Sequence, residues 1–222
     1  MAKITTILSD LGNVVVLFDN ERTINGLNQL RRAPLHGATM PIDGILFDMK
    51  AGLWNLFDRG FVDTNNILGT ILAAIGAGGV SLSREEMRKF AELAWKDIFK
   101  LNDPVVELWT KLRASGLVLT AVSNVDALRY DAVAEMGVAE LFDHMVLSFK
   151  EKIIKQDGPG LFARALYRSG CMAEEAVFID DRQDCLEFAD KLGIRTFCYD
   201  YRDNKALERE LMMLGLPVLQ GA

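Results

Sequence analysis

Six polar residues with chemically capable side chains stand at the ends of short apolar runs, or a few residues beyond them. They are Asp10, Ser123, Asn124, Lys155, Asp180 and Asp181. In an open parallel α/β sheet, ligands bind outside the carboxyl ends of the strands, so residues in these positions are expected to meet in one crevice. Each residue alone has an ordinary explanation as a turn former, a helix cap or a surface charge. The complete set, in this order, is hard to explain that way.

Phosphoryl transfer through an aspartyl intermediate is the chemistry that needs this set. A carboxylate that attacks a phosphate dianion is repelled by it, so the site must supply a divalent cation held by oxygen ligands and a fixed ammonium group. Two adjacent acids repel each other unless a cation lies between them. We therefore expect Asp10, Asp180 and Asp181 to hold Mg²⁺ and Lys155 to neutralise the remaining charge. Ser123 and the backbone amide of Asn124 are expected to donate hydrogen bonds to phosphoryl oxygens.

The elements that must position these residues are five predicted strands. Short runs rich in β-branched residues lie at 4–9, 117–123, 144–148, 176–179 and 195–199. From the second run onward they alternate with helical patterns, which predicts βαβ units and a parallel sheet covered on both faces. Asp103 and Pro104 indicate an N-cap and the first residue of a helix, and Ser123 with Asn124 would cap another helix that begins near Asp126.

A long segment between the first two strands breaks this rhythm. Residues 20–100 contain no convincing strand and are typical of successive helices. About 80 residues are too many for an ordinary crossover connection. We therefore predict a small helical cap domain at 20–100, inserted into an α/β core formed by 1–19 and 101–222. The stretch "LFDRGFVD" and the residues Trp54, Phe57 and Arg59 are candidates for positions near the crevice.

Composition restricts the partners of this protein. The 222 residues carry a formal net charge of −6, which disfavours a nucleic-acid partner because phosphate backbones attract basic surfaces. No apolar window is long enough to cross a bilayer, and the first residues lack a signal-peptide pattern, so we expect a cytoplasmic protein. Three cysteines without CxxC spacing disfavour a disulfide framework and a zinc site, and predict reduced thiols in or near the core.

The same residues resemble the haloacid dehalogenase-like hydrolase superfamily. "ILSDLGNV" is similar to its first motif, "LTAVSN" to the second, Lys155 to the third and "VFIDD" to the fourth. The segment 20–100 lies where the family has its C1 cap, and "DLGNV" resembles a branch that includes glucose-1-phosphate phosphatase-like proteins. The resemblance covers essentially the whole chain and implies a Rossmann-like parallel-sheet core and a Mg²⁺-dependent phosphatase of small phosphorylated metabolites such as sugar phosphates.

The resemblance also implies roles for single residues. Asp10 would be the nucleophile, and the metal ligands would come from Asp10, the carbonyl of Gly12 and Asp181. Asp180 would lie against the metal shell or orient Lys155. Gly12, Asn13 and Asn124 are expected to contact the substrate.

Gly12 departs from the commonest pattern of the superfamily. Phosphatases there usually have Asp-x-Asp, whose second acid protonates the leaving oxygen and then activates water. Loss of a general acid costs about 10²- to 10⁴-fold, so we expect slow turnover or a substrate with a good leaving group. Asn13, Asp19 or a cap residue would position the water instead. Two smaller departures are Gln156, where a proline is usual, and Cys185, where an asparagine is common.

Other functions fit parts of the same pattern. A haloacid dehalogenase shares the aspartate nucleophile, but it needs no metal and usually has an aromatic residue where this chain has Gly12. A non-catalytic module that binds a phosphorylated metabolite would keep the crevice without turnover. A monomer and a homodimer are both compatible with the sequence.

Overall fold

The structure of the protein is a computed structural model. It describes residues 2–19, 52–63, 66–67, 69–71, 83, 85 and 98–218. The strands in this part of the chain are β1 (Thr6–Ser9), β2 (Val16–Phe18), β3 (Phe99–Leu101), β4 (Val118–Ser123), β5 (His144–Leu147), β6 (Ala176–Asp180) and β7 (Arg195–Cys198). The helices are α1 (Leu53–Asp58), α2 (Asp103–Ala114), α3 (Ala127–Ala134), α4 (Ser148–Glu151), α5 (Gly160–Ser169), α6 (Gln183–Lys191) and α7 (Asn204–Met213). Short 3-10 helices lie at Val138–Leu141, Lys155–Asp157 and Ala173–Glu175.

A five-stranded parallel sheet in the order β5-β4-β1-β6-β7 forms the centre of the fold. The predicted parallel α/β fold is confirmed, and the five predicted runs correspond to these five strands. The chain builds the sheet outward from β1 through β4 and β5, and then crosses to β6 and β7. The order therefore reverses between β1 and β6, and such a switch point opens a crevice at the carboxyl ends of the two strands.

Two hydrophobic layers cover the sheet, because neighbouring residues of a strand point to opposite faces. Ile7 of β1 belongs to one buried cluster and Leu8 to the other. The first cluster includes Trp109 of α2, and the second includes Phe162 of α5, each fully shielded from solvent. Burial on both faces explains why the strands are continuous apolar runs rather than alternating ones.

A two-stranded antiparallel ribbon, formed by β2 and β3, corrects the expectation that 20–100 contains no strand. Val16 pairs with Leu101, and Phe18 with Phe99. Three-residue strands are too short to show a periodicity that separates them from their surroundings. The predicted boundary between residues 100 and 101 divides β3, so the ribbon joins the two predicted domains.

Two predicted helix starts are also corrected. Helix α2 begins at Asp103, with Asn102 as its N-cap, one residue before the predicted cap. The Asn102 side chain donates to the Val14 carbonyl and to the Tyr199 hydroxyl instead of capping the helix. The N-cap of α3 is Asp126, which accepts hydrogen bonds from the backbone amides two and three residues later. Asn124 is therefore available for another contact.

Most of the predicted cap domain lies outside the described residues, which include α1 but few other positions between 20 and 97. Within the described ranges, none of the helices is both long and apolar enough to cross a membrane. The three cysteines are free thiols, and Cys185 is buried as expected. Cys198 is exposed, because it ends the edge strand β7.

Candidate active site

Four charged residues meet at the switch point of the sheet, and we call them the strand-end cluster: Asp10, Lys155, Asp180 and Asp181. The Lys155 ammonium lies 2.9 Å from Asp10 Oδ1 and 2.5 Å from Asp180 Oδ2. Only 1% of the Lys155 side chain is exposed, so its charge is balanced by these two carboxylates instead of by water. The structure thus brings together charged residues predicted from three separate strand ends.

Asp10 is held by the sheet that precedes it. Its backbone amide donates to the Ile179 carbonyl, which continues the β1–β6 ladder by one residue. Ser9 donates its hydroxyl to the Asp10 carbonyl and accepts a hydrogen bond from the Trp109 indole. The direction of the Asp10 side chain is therefore set by buried backbone contacts on both sides of the residue.

Lys155 comes from a 3-10 turn that Asn124 ties to the end of β4. The side-chain oxygen Oδ1 of Asn124 accepts a hydrogen bond from the Lys155 backbone amide at 2.9 Å. The side-chain nitrogen Nδ2 of Asn124 donates to Gln156 Oε1 at 2.8 Å. Asn124 thus positions the lysine loop with its side chain. The backbone amide of Asn124 and the Ser123 hydroxyl, which also lines the cavity, remain the predicted donors to substrate oxygens.

The two smaller departures from the family pattern contact each other. Gln156 donates to the Cys185 sulfur at 3.1 Å and to Asp184 Oδ2 at 3.1 Å. Gln156 therefore joins Asn124, which follows β4, to the first turn of α6, which follows β6. The sequence shows the two changes separately, whereas the structure explains them as one contact.

Three carboxylates of the strand-end cluster are close enough for a metal ion. One oxygen from each of Asp10, Asp180 and Asp181 lies within 4.8 Å of the others. Oxygen ligands of this kind suit Mg²⁺. Both Asp180 oxygens have protein partners, since Oδ2 accepts from Lys155 and Oδ1 from the Arg182 backbone amide. This arrangement favours the orienting role of Asp180 over direct ligation.

Asn13 fixes the third carboxylate. Its side-chain amide donates to Asp181 Oδ2 at 3.0 Å, and its backbone has a left-handed φ of 53°. Asparagine tolerates this conformation better than most residues do. In the structure Asn13 therefore orients Asp181.

The protonation tendencies of the cluster fit a site for a cation. Burial raises the pKa of Asp181, and the nearby Asp10 carboxylate raises it further. Burial also raises the pKa of Asp180, while the Lys155 ammonium opposes that shift. Burial would lower the pKa of Lys155, but Asp10 and Asp180 outweigh it and raise the pKa above its usual range. Lys155 is therefore charged, and a divalent cation would relieve the remaining repulsion between carboxylates.

A cavity of about 330 Å³ opens beside the cluster. Gly12 lies in its wall, and a Cβ atom added there would be 2.8 Å from Cε1 of Phe18. The Phe18 ring, carried by β2, therefore occupies the space that a side chain at position 12 would need. A side chain at position 12 would require the Phe18 ring to move.

A second group of residues lines the cavity, and we call it the insert-side cluster: Trp54, Asn55, Asp58 and Arg129. Three of these residues belong to α1, and Arg129 of α3 lies 4.4 Å from the centroid of the Trp54 ring. Sequence reasoning named Trp54 and the segment that contains Asp58, but it missed Asn55 and Arg129. In the sequence, only one feature points to Arg129: it lies three residues after Asp126, in the first turn of the helix that follows β4.

The other candidates from the insert lie elsewhere. Phe57 is 1% exposed and lines a second cavity between α1 and the core. Arg59 forms an ion pair with Asp157 and donates to Asn55. Lys152 donates to the Gly60 carbonyl. These contacts hold the 52–63 segment against the core next to the Lys155 loop.

Comparisons with known proteins agree with this fold. No family model matches the chain. A HAD family enzyme, BT-2542 from Bacteroides thetaiotaomicron, superposes with a TM-score of 0.74 over 93% of this chain and 98% of its own, at 21% identity. The same enzyme has been solved in complex with magnesium and inorganic phosphate. A HAD-like hydrolase from Porphyromonas gingivalis superposes with a TM-score of 0.73 over 95% and 98% of the two chains, at 21% identity.

Two further comparisons concern a structure with a lower TM-score and a relative found by sequence. L-2-haloacid dehalogenase from Xanthobacter autotrophicus has a TM-score of 0.60 at 15% identity, over 95% of this chain and 83% of its own. In sequence, the chain is 28% identical over 174 residues to mouse acyl-CoA dehydrogenase family member 10. That match spans 77% of this chain and 16% of the mouse protein, so the chain corresponds to a small part of it. The parallel core, its switch-point carboxylates and these superpositions together show that the chain has the fold of the haloacid dehalogenase-like superfamily.

Proposed function

We propose that the protein is a Mg²⁺-dependent phosphatase that hydrolyses small phosphorylated metabolites through a phosphoaspartate at Asp10. The observation that carries this proposal is the position of Asp10. Its carboxylate lies 2.9 Å from the buried Lys155 ammonium, and one of its oxygens lies within 4.8 Å of an Asp181 oxygen. A buried lysine beside a nucleophilic carboxylate serves a substrate that carries negative charge. The magnesium and phosphate found with the Bacteroides enzyme support the same chemistry.

We assign each residue of the site a separate role in the reaction. Asp10 would attack phosphorus, form a new P–O bond and break the ester P–O bond. Ser123 and the Asn124 backbone amide would donate hydrogen bonds to the phosphoryl oxygens, and Lys155 would balance their charge. Asp10, Asp181 and the Gly12 carbonyl would hold Mg²⁺, with Asp180 supporting Lys155. When bound, the ion would neutralise charge on the phosphoryl group. Water would then release phosphate and restore Asp10.

A phosphatase assay with a matched variant tests the proposal. Purified protein with Mg²⁺ would be given an aryl phosphate and a panel of sugar phosphates, and released phosphate would be measured. Activity should disappear with a chelator and fall by about 10⁴-fold or more in Asp10→Asn, as is typical when a nucleophile is deleted. Hydroxylamine-sensitive phosphate on wild-type protein would identify the phosphoaspartate. A sugar phosphate as the best substrate would support the finer assignment.

The same samples distinguish the alternatives. Chloride release from a 2-chloro acid without Mg²⁺ would indicate a dehalogenase, a function also represented among the structural neighbours. Binding of phosphate mimics without any turnover would indicate a binding module. Either outcome would overturn the phosphatase proposal.

We also propose that residues 20–100 form a cap over the cavity, because Trp54, Asn55 and Asp58 line it together with core residues. Limited proteolysis with and without a phosphate mimic would test this division. The proposal includes a cytoplasmic location and a monomer or homodimer. Fractionation and size-exclusion chromatography would test both.

A further inference from the structure

Departure of the leaving group requires a proton source that the strand-end cluster does not provide. When the ester bond breaks, the leaving oxygen takes the bonding electrons and is a strong base unless it is protonated. Asp10 is used as the nucleophile, and Asp180 accepts from Lys155. Position 12 has no side chain, and Phe18 fills the space beside it. For a substrate whose leaving group needs protonation, the proton must come from another part of the cavity.

Asp58 is the carboxylate that remains. Among the described residues, the carboxylates that line the cavity are Asp10, Asp58 and Asp181. Asp10 and Asp181 belong to the strand-end cluster, whereas Asp58 enters from the end of α1. Its Oδ1 atom is shielded from solvent and has no hydrogen-bond partner in the described part of the chain. A buried oxygen without a partner needs an explanation, and a molecule bound against this wall of the cavity would supply the missing partner.

Burial favours the neutral form of Asp58, while the charges around it act in both directions. The groups that act on it are Arg129, Asp126, Arg182 and Asp10. Arg129 is already paired with Asp126, which lies 3.5 Å away and is fully buried. The Arg129 and Arg182 guanidinium groups lower the pKa of Asp58, and the Asp126 and Asp10 carboxylates raise it. Burial is the largest effect and raises the pKa of Asp58 to about 7, where a group exchanges protons readily at neutral pH.

We propose that Asp58 is the general acid and base of the hydrolysis, acting from the insert side of the cavity. The inference rests on the proposed phosphatase function. In the first step Asp10 forms a bond to phosphorus, the ester P–O bond breaks, and the leaving oxygen receives the proton of the Asp58 carboxyl. In the second step the Asp58 carboxylate takes a proton from water as the water oxygen bonds to phosphorus. The Asp10 P–O bond then breaks, which regenerates the Asp10 carboxylate and the neutral Asp58.

A comparison of leaving groups tests this role. Asp58→Asn would be assayed with an aryl phosphate, whose leaving group needs little protonation, and with an alkyl phosphate, whose leaving group needs it. We expect kcat/KM for the alkyl ester to fall by about 10²- to 10⁴-fold, the usual contribution of a general acid, and that for the aryl ester to fall much less. Because the second step is impaired with both esters, the aryl ester should give a burst of phenol and accumulate phosphorylated Asp10. In wild type we expect the activity to change with pH near neutrality as Asp58 ionises, and this change should be absent in Asp58→Asn.

Matched variants separate this role from a structural one. Asp63→Asn removes a carboxylate of the same segment that lines the second cavity instead, and it should leave the ratio of the two esters unchanged. Asp58→Glu keeps the acid and should recover part of the alkyl ester activity. Thermal unfolding shows whether each variant is folded. If folded Asp58→Asn keeps the wild-type ratio and pH profile, the role of Asp58 is overturned while the phosphatase function stands. If wild-type protein releases no phosphate, the proposed function itself fails.

Discussion

The two sides of the cavity are built on different principles. In the strand-end cluster, every charged group has a fixed protein partner, and Lys155 lies between two carboxylates at 2.9 and 2.5 Å. In the insert-side cluster, Asp58 has a shielded oxygen without a hydrogen bond in the described chain. The first side is organised before any ligand arrives. The second side leaves a polar group that a bound ligand could satisfy.

Loss of Lys155 should have the largest effect on stability. Lys155→Met leaves Asp10 and Asp180 buried without their cation, and removing one partner of a buried pair costs about 3–5 kcal/mol. Urea unfolding would measure the change. Lys205→Met, at an exposed position of α7, should change the free energy of unfolding by no more than about 0.5 kcal/mol. Similar values for both variants would contradict the organised character of the strand-end cluster.

Asn13 tests whether this organisation extends to the metal ligands. Asn13→Gly removes the hydrogen bond to Asp181 but still accepts the positive φ. Loss of a group that orients a metal ligand usually weakens metal affinity by about 10- to 100-fold. The Mg²⁺ concentration required for half-maximal phosphate release would report this change. An unchanged Mg²⁺ requirement would mean that Asp181 does not depend on Asn13.

A variant of Gly12 tests whether the Phe18 ring restricts the side chain that this position can carry. Gly12→Asp places a Cβ atom against the Phe18 ring, and overpacking of this kind costs about 1–3 kcal/mol. In the double variant with Phe18→Ala, the cost of the aspartate should be smaller than in the wild-type background. A double-mutant cycle of unfolding free energies would measure this coupling. Additive effects would show that the ring does not restrict position 12.

A variant of Asp58 should change how the free energy of unfolding depends on pH. The pKa of Asp58 is raised by burial to about 7 in the folded protein, against 3.8 for the ordinary group. The folded state therefore holds a proton that the unfolded state has lost between these pH values, so this contribution to stability is complete below pH 4 and declines as pH rises through 7. The free energy of unfolding of wild type should fall over this range relative to that of Asp58→Asn. Parallel curves would mean that Asp58 ionises normally.

The sequence was most informative where chemistry follows a strand. Asp10 and Asp181 could be placed together because parallel strands end at one edge of a sheet, a rule that needs no knowledge of loops. Lys155 lies several residues beyond β5, and it was added as the ammonium group that the chemistry requires. Asp58 and Arg129 could not be paired in this way, since their proximity depends on how α1 packs against α3. The ribbon was missed because three residues are too few for a periodic signal. Asn102 was missed as an N-cap because its side chain contacts Val14 and Tyr199.

The ribbon has a practical consequence for engineering. Because Phe18 pairs with Phe99, the chain leaves the core and returns to it at adjacent points. If the segment between Phe18 and Phe99 were transplanted into another protein, its two connections to that protein would lie side by side. Exchange of the intervening residues between proteins of this fold should therefore replace Trp54, Asn55 and Asp58 while the strand-end cluster keeps its native position.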